Sequence, residues 1–142
     1  MTARSDNSAE SDRHLRARRA RLLLSIGAAL GIAVWVFSPL ITGKVEPWDA
    51  DAPLWSLSWL IVAVAGGLVG KLRGICLPLG YALGQMAVTI PSAFISQFGV
   101  LGWLFIAGYA AAAMLVALAL IGIIALIKAI AGRKPSRPVT RS

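Results

Sequence analysis

The sequence predicts an all-α integral membrane protein, a bundle of four transmembrane helices with both termini in the cytoplasm. Three observations carry that expectation. Hydrophobic residues make up 58% of the chain and charged residues 14%, whereas a water-soluble domain is about a quarter charged. The apolar residues fall into four long uncharged blocks separated by short polar connectors. All but Lys44 of the 14 Lys and Arg residues lie in the two tails or in the second connector. That is the positive-inside distribution of a multi-pass protein in the bacterial inner (cytoplasmic) membrane.

Residues 1–21 are expected to form a disordered basic cytoplasmic tail, because they carry charge without hydrophobic periodicity. The tail ends in "RHLRARRAR", Arg13 to Arg21, which abuts the first apolar block. Placed there, the cations meet anionic lipid headgroups, at about 1 kcal/mol each near the surface. The net charge of +8 therefore points to the lipid bilayer and not to nucleic acid.

The first block, Leu22 to Thr42, has no charged residue and is long enough for a hydrocarbon core of about 30 Å. Its only Ala-x-Ala sequence nearby, Ala50-Asp51-Ala52, is followed by Pro53, so a retained helix is expected and not a cleaved signal. The second block, 54–70, is short, with Trp55 and Trp59 at its start expected to anchor it at the interface. After the basic turn "KLRG" comes the third block, 75–96, with Pro78 and Pro91 near its ends. The fourth, 100–127, is about 42 Å long at about 1.5 Å per residue and must tilt or project. A basic tail, 128–142, closes the chain.

Chemistry has little to work with in these blocks. Their interiors contain no Asp, Glu, Lys, Arg or His, and the sole histidine, His14, is in the tail. An ionisable group within a span marks function by its cost, so no enzyme activity, catalytic residue, cofactor or metal is expected. The single cysteine, Cys76, has no partner for an intramolecular disulfide.

Packing signals are abundant instead. Gly27 and Gly31, Gly66 and Gly70, and Gly80 and Gly84 repeat at four residues, and Gly108 opens a run of small residues with Ala112. This spacing puts small residues on one helix face and lets backbones approach closely. Tyr81, Gln85, Thr89, Ser92 and Ser96 form a polar stripe along the third helix. In lipid such a stripe turns inward, to bond neighbouring helices or to line a narrow uncharged pore or small-ligand groove.

The first connector contains Glu46, Trp48, Asp49 and Asp51 and is expected on the outer face, for anchoring or docking. Pro53 suits the first turn of the second helix, a preceding carboxylate suits its positive end, and Trp48 suits the headgroup level. The three carboxylates match no calcium-loop spacing. The stretch "TGKVEPWDADAP", Thr42 to Pro53, resembles a motif of small uncharacterised bacterial four-helix membrane proteins. The resemblance extends over this connector and the adjoining spans and implies no activity.

These readings converge on a non-enzymatic accessory or assembly subunit, either a homo-oligomer or part of a larger membrane complex. The alternative is a small oligomeric channel or transporter for a small or neutral solute, lined by the polar stripe.

Overall fold

The computed structural model describes residues 3–44, 53–69, 71–95 and 99–132. It is all-helical: α1 (Ala3–Thr42), α2 (Leu54–Leu68), a one-turn 3-10 helix (Leu72–Ile75), α3 (Cys76–Ile95) and α4 (Gly99–Ala131). Two of these helices are long and apolar enough to cross a membrane, over Arg13–Thr42 and Leu101–Ala131.

The first helix differs from the sequence expectation. It does not begin at Leu22 but runs back to Ala3, so residues 3–21 are helical where a disordered tail was expected. Ala and Arg are strong helix formers, and the run from Arg13 to Arg21 is built largely from them. Glu10 and His14, one turn apart, approach to 3.9 Å on its surface. The helix then ends by a mechanism that needs glycine. Gly43 takes φ +69° and its N–H donates to the Pro39 carbonyl at 3.0 Å, a left-handed cap. Thr42 Oγ1 donates to the Ser38 carbonyl at 2.9 Å and accepts from the Lys44 N–H at 3.2 Å.

At the start of α2, Pro53 occupies the cap position, and its carbonyl accepts from the Leu57 N–H at 2.8 Å. The helix begins at Leu54, with Pro53 at the cap position and not inside the first turn. α4 continues to Ala131, past the expected end at 127, since nothing in "IKAIA" breaks a helix.

Cross-helix contacts fix the topology. Gly27 faces Leu77 and Tyr81, and Gly31 faces Tyr81 and Gln85, so α1 and α3 run parallel. Ser56 meets Tyr109 and Gly67 meets Ala117 and Leu120, so α2 and α4 run parallel. Trp55 meets Gln85 and Ser58 meets Tyr81, so α2 opposes α3. The bundle is therefore up-down-up-down. Among the described residues α1 packs chiefly on α3 and does not touch α4, while α2, α3 and α4 pack on one another. This order brings the Arg13–Arg21 run, Lys71, Arg73 and Lys128 to one end and leaves Lys44 at the other.

The core is mainly apolar, yet many large apolar side chains are left on the outside. Leu40 is 79% exposed, Leu104 65% and Leu115 67%, whereas Gln85 and Thr89 are buried at 0% and 4%.

Candidate functional site

Two kinds of interface hold the bundle, and between them they use Gly27, Gly31, Gly80, Gly84, Tyr81, Gln85 and Thr89 of the residues that the sequence singled out. The α1–α3 interface is made of backbone. Gly27 and Gly31 on α1 lie against the carbonyls of Leu77 and Tyr81, and Gly80 and Gly84 on α3 lie against those of Leu24 and Ala28. A Cβ at any of the four would overlap a carbonyl oxygen of the facing helix. The two glycine pairs interlock, and the close crossing follows from their four-residue spacing.

Gly66 makes a similar approach at the turn. A Cβ there would stand 2.6 Å from the Gly74 carbonyl oxygen, and Gly74 in return abuts the Gly66 carbonyl. Gly67, which the four-residue pattern did not single out, touches α4; a Cβ there would lie 2.6 Å from Leu120 Cβ. Gly70 lies outside the described residues. Gly108 departs from its expected role: it is exposed, and a Cβ on it would meet nothing within 4 Å. Spacing identifies the small face of a helix but not the direction in which that face points.

The second interface, between α2, α3 and α4, is polar and aromatic. Tyr81, Gln85 and Thr89 all face inward. Ser58 Oγ donates to the Trp55 carbonyl at 2.6 Å, so the 2.6 Å contact between Tyr81 and Ser58 has the phenol donating to the hydroxyl oxygen. Trp55 Nε1–H donates to Gln85 Oε1 at 3.2 Å. Trp103 Nε1–H donates to Thr89 Oγ1 at 2.9 Å. The Thr89 hydroxyl in turn is shared between the carbonyls of Gln85 and Met86, at 3.1 and 3.0 Å. Tyr81, Gln85 and Thr89 thus each bond a side chain of a neighbouring helix. Ser92 and Ser96 lie outside the described side chains.

Around these bonds sits an aromatic cluster. Trp59 packs edge-on against Tyr81 with centroids 4.7 Å apart and against Trp55 at 6.3 Å. Trp55 lies 4.3 Å from the Tyr109 ring. The interfacial role expected of Trp55 and Trp59 is corrected by this geometry, because they are only 5% and 2% exposed and form the core. An indole has two favourable places near a bilayer, the headgroup layer and an interior with a hydrogen-bond acceptor. Gln85 supplies that acceptor for Trp55. Their four-residue spacing, which puts both rings on one face, was the sequence signal for a shared inward face.

Among the described residues two buried side-chain groups lack a hydrogen-bond partner, Trp59 Nε1 and Gln85 Nε2. In a low-dielectric interior an unpaired N–H is costly, and a trapped water is the ordinary remedy. No group of three or more His, Cys, Asp or Glu suited to a metal occurs among the described residues. Glu46, Trp48, Asp49 and Asp51, the outer-loop residues assigned to docking or anchoring, lie outside the described residues.

On its outer side α4 presents Leu101, Leu104, Phe105, Gly108, Tyr109 and Ala112 around a shallow apolar recess of about 470 Å³. Their spacing of three and four makes one stripe. No family model matches the chain, and no curated protein or solved structure matches it either.

Proposed function

We propose that the chain is a multi-pass protein of the bacterial cytoplasmic membrane, with four spans and both termini inside. In this reading it acts as a non-enzymatic accessory or assembly subunit of a membrane complex. Support for four spans comes from exposed large apolar side chains on every helix, including Leu40, Leu60, Leu83 and Leu104. Water would leave these patches unsatisfied, and lipid covers them. The cations gathered at one end of the bundle support the orientation.

The observation that carries the subunit reading is the inward use of the polar stripe. Tyr81, Gln85 and Thr89 are engaged by Ser58, Trp55 and Trp103, which suits a scaffold more than a conduit. What is left over is the α4 stripe around Gly108, a face on which a transmembrane helix of another subunit can pack closely. The test is the composition of the protein extracted in native lipid particles. A second polypeptide at fixed stoichiometry, lost on Gly108→Leu while the chain stays folded, is the expected result. Saturable solute flux by the purified protein alone in liposomes overturns the reading.

The unpartnered Trp59 Nε1 and Gln85 Nε2 favour a second reading, an oligomeric channel or transporter with a wet centre. It requires that Gln85→Leu abolish flux without unfolding the bundle.

A further inference from the structure

At the cationic end of the bundle, two segments distant in sequence meet. Leu15, Arg16 and Arg19 of α1, with Lys71 and Arg73 of the α2–α3 connection, line a cleft of about 400 Å³. The fold sets this juxtaposition. The glycine contacts of Leu24 with Gly80 and of Ala28 with Gly84 fix the register of α1 against α3. Two turns further back along both, Arg16 and Arg19 come beside the 3-10 helix that precedes α3. The backbone approach of Gly66 and Gly74 holds that short helix against α2. The helical continuation of α1 back to Ala3 is therefore what builds one wall.

Among the described residues four cations and no carboxylate line the cleft, and Arg16 has a further interaction of its own. Like charges held together raise one another's energy unless an anion sits between them. Arg presents a planar fork of donors that matches phosphate, and Lys adds a point charge. The place of the cleft along the bundle, next to apolar surface, selects the source of the phosphate. Leu15 forms part of its wall, and Leu22 and Leu72 nearby are 59% and 70% exposed. The cation run stops at Arg21, where the apolar surface of α1 begins. An anion at this level stands where the headgroup layer meets hydrocarbon.

We infer that the cleft formed by Arg16, Arg19, Lys71 and Arg73 binds the phosphate of an anionic phospholipid, whose acyl chains lie along the apolar surface beside Leu22 and Leu72. This inference rests on the membrane reading above and narrows it to a stoichiometric lipid site, distinct from diffuse attraction to the basic tails. Basic pockets between spans on the cytoplasmic side are suited to such headgroups.

The test uses the full chain purified in a neutral detergent and titrated with phosphatidylglycerol, phosphatidylcholine or inorganic phosphate. Bound lipid is counted by native mass spectrometry, and stability is followed by thermal unfolding. Because Arg16 has a further interaction, the substitutions are placed on the connection, as Lys71→Gln with Arg73→Gln. Phosphatidylglycerol is expected to be retained at one molecule per chain and to raise the unfolding midpoint, with phosphatidylcholine doing neither. The double variant should bind at least fivefold more weakly with unchanged helix content. Lys128→Gln, at the same end but outside the cleft, should bind like the parent. Equal loss in Lys128→Gln overturns the inference in favour of diffuse charge attraction. Equal retention of phosphatidylcholine removes the role of the cations. Inorganic phosphate bound as tightly as the lipid reassigns the cleft to a soluble anion. Extraction of membranes with alkaline carbonate reports separately on membrane insertion, so failure of that reading is seen on its own.

Discussion

The α1–α3 and α2–α3–α4 interfaces share one helix but are held by different physics. Along one side of α3, Gly80 and Gly84 meet backbone carbonyls of α1 with no side chain between. Along another side, Tyr81, Gln85 and Thr89 meet indoles and a serine. Glycine contacts gain dispersion and lose little side-chain entropy, because there is no side chain to order. The aromatic side gains area and a few oriented hydrogen bonds, each modest in lipid. The comparison teaches that α3 is the pivot of the bundle, and that its two sides should fail in different ways.

The largest effect is expected on the aromatic side. Trp59 is 2% exposed and touches both Trp55 and Tyr81. Trp59→Ala should cost about 3–5 kcal/mol by leaving a cavity where a ring stood. Trp59→Phe should cost much less, because it keeps a ring and removes the unpartnered Nε1–H. Reversible unfolding in mixed micelles measures both. A Phe variant as damaged as the Ala variant would mean that the indole N–H has a partner, such as a buried water.

On the glycine side, Gly84→Ala should cost about 1–3 kcal/mol, because the new methyl overlaps the Ala28 carbonyl and backbone cannot step aside. The loss should be local to α1. Hydrogen exchange should rise at Leu23 to Val34 while the α2–α4 core stays protected. Uniform loss of protection would show that the two interfaces form one cooperative unit.

How much of this was legible in the sequence depends on the kind of signal. Four apolar blocks and their order were legible because uncharged length is itself the signal. The inward turn of Tyr81, Gln85 and Thr89 was legible because polar groups on an apolar helix have few other places to go. The Gly27/Gly31 and Gly80/Gly84 faces were legible as faces, but their pairing was not, since spacing carries no address. Trp55 and Trp59 were misread because an indole suits both the headgroup layer and a polar-lined interior. The helical stretch before Leu22 is not legible from periodicity, because charge without an apolar repeat reads as disorder, although Ala and Arg are strong helix formers. The cationic cleft lay beyond sequence reasoning, because it exists only once the register of α1 on α3 is known.

A smaller effect tests whether the hydrogen bonds matter individually. Gln85→Leu removes the acceptor of Trp55 Nε1–H and at the same time removes the unpartnered Nε2. The two changes oppose each other, so the net effect on stability should be within about 1 kcal/mol, given typical interhelical bonds in membranes. Thr89→Val removes the acceptor of Trp103 Nε1–H together with the hydroxyl's own bonds to the Gln85 and Met86 carbonyls, and it removes no unpartnered group in compensation. It should therefore destabilise more than Gln85→Leu, although its hydrogen bond is of the same kind. The reverse order would mean that Gln85 Nε2 is satisfied by water and that the amide is a contributor in full.

The smallest expected effect has the opposite sign, and it separates spacing from contact. Gly84 and Gly108 both belong to small-residue patterns, but Gly84 abuts a carbonyl and Gly108 has nothing within 4 Å of its would-be Cβ. An alanine at an open helical position removes backbone freedom from the unfolded chain and gains up to about 1 kcal/mol. Gly108→Ala should therefore stabilise the isolated bundle slightly, while Gly84→Ala destabilises it. If a partner helix packs on the α4 recess, the gain measured in detergent should reverse in native lipid particles, where the added methyl meets that partner. A gain in both settings would leave the α4 face as a surface for lipid alone and would remove the support it lends to the accessory-subunit reading.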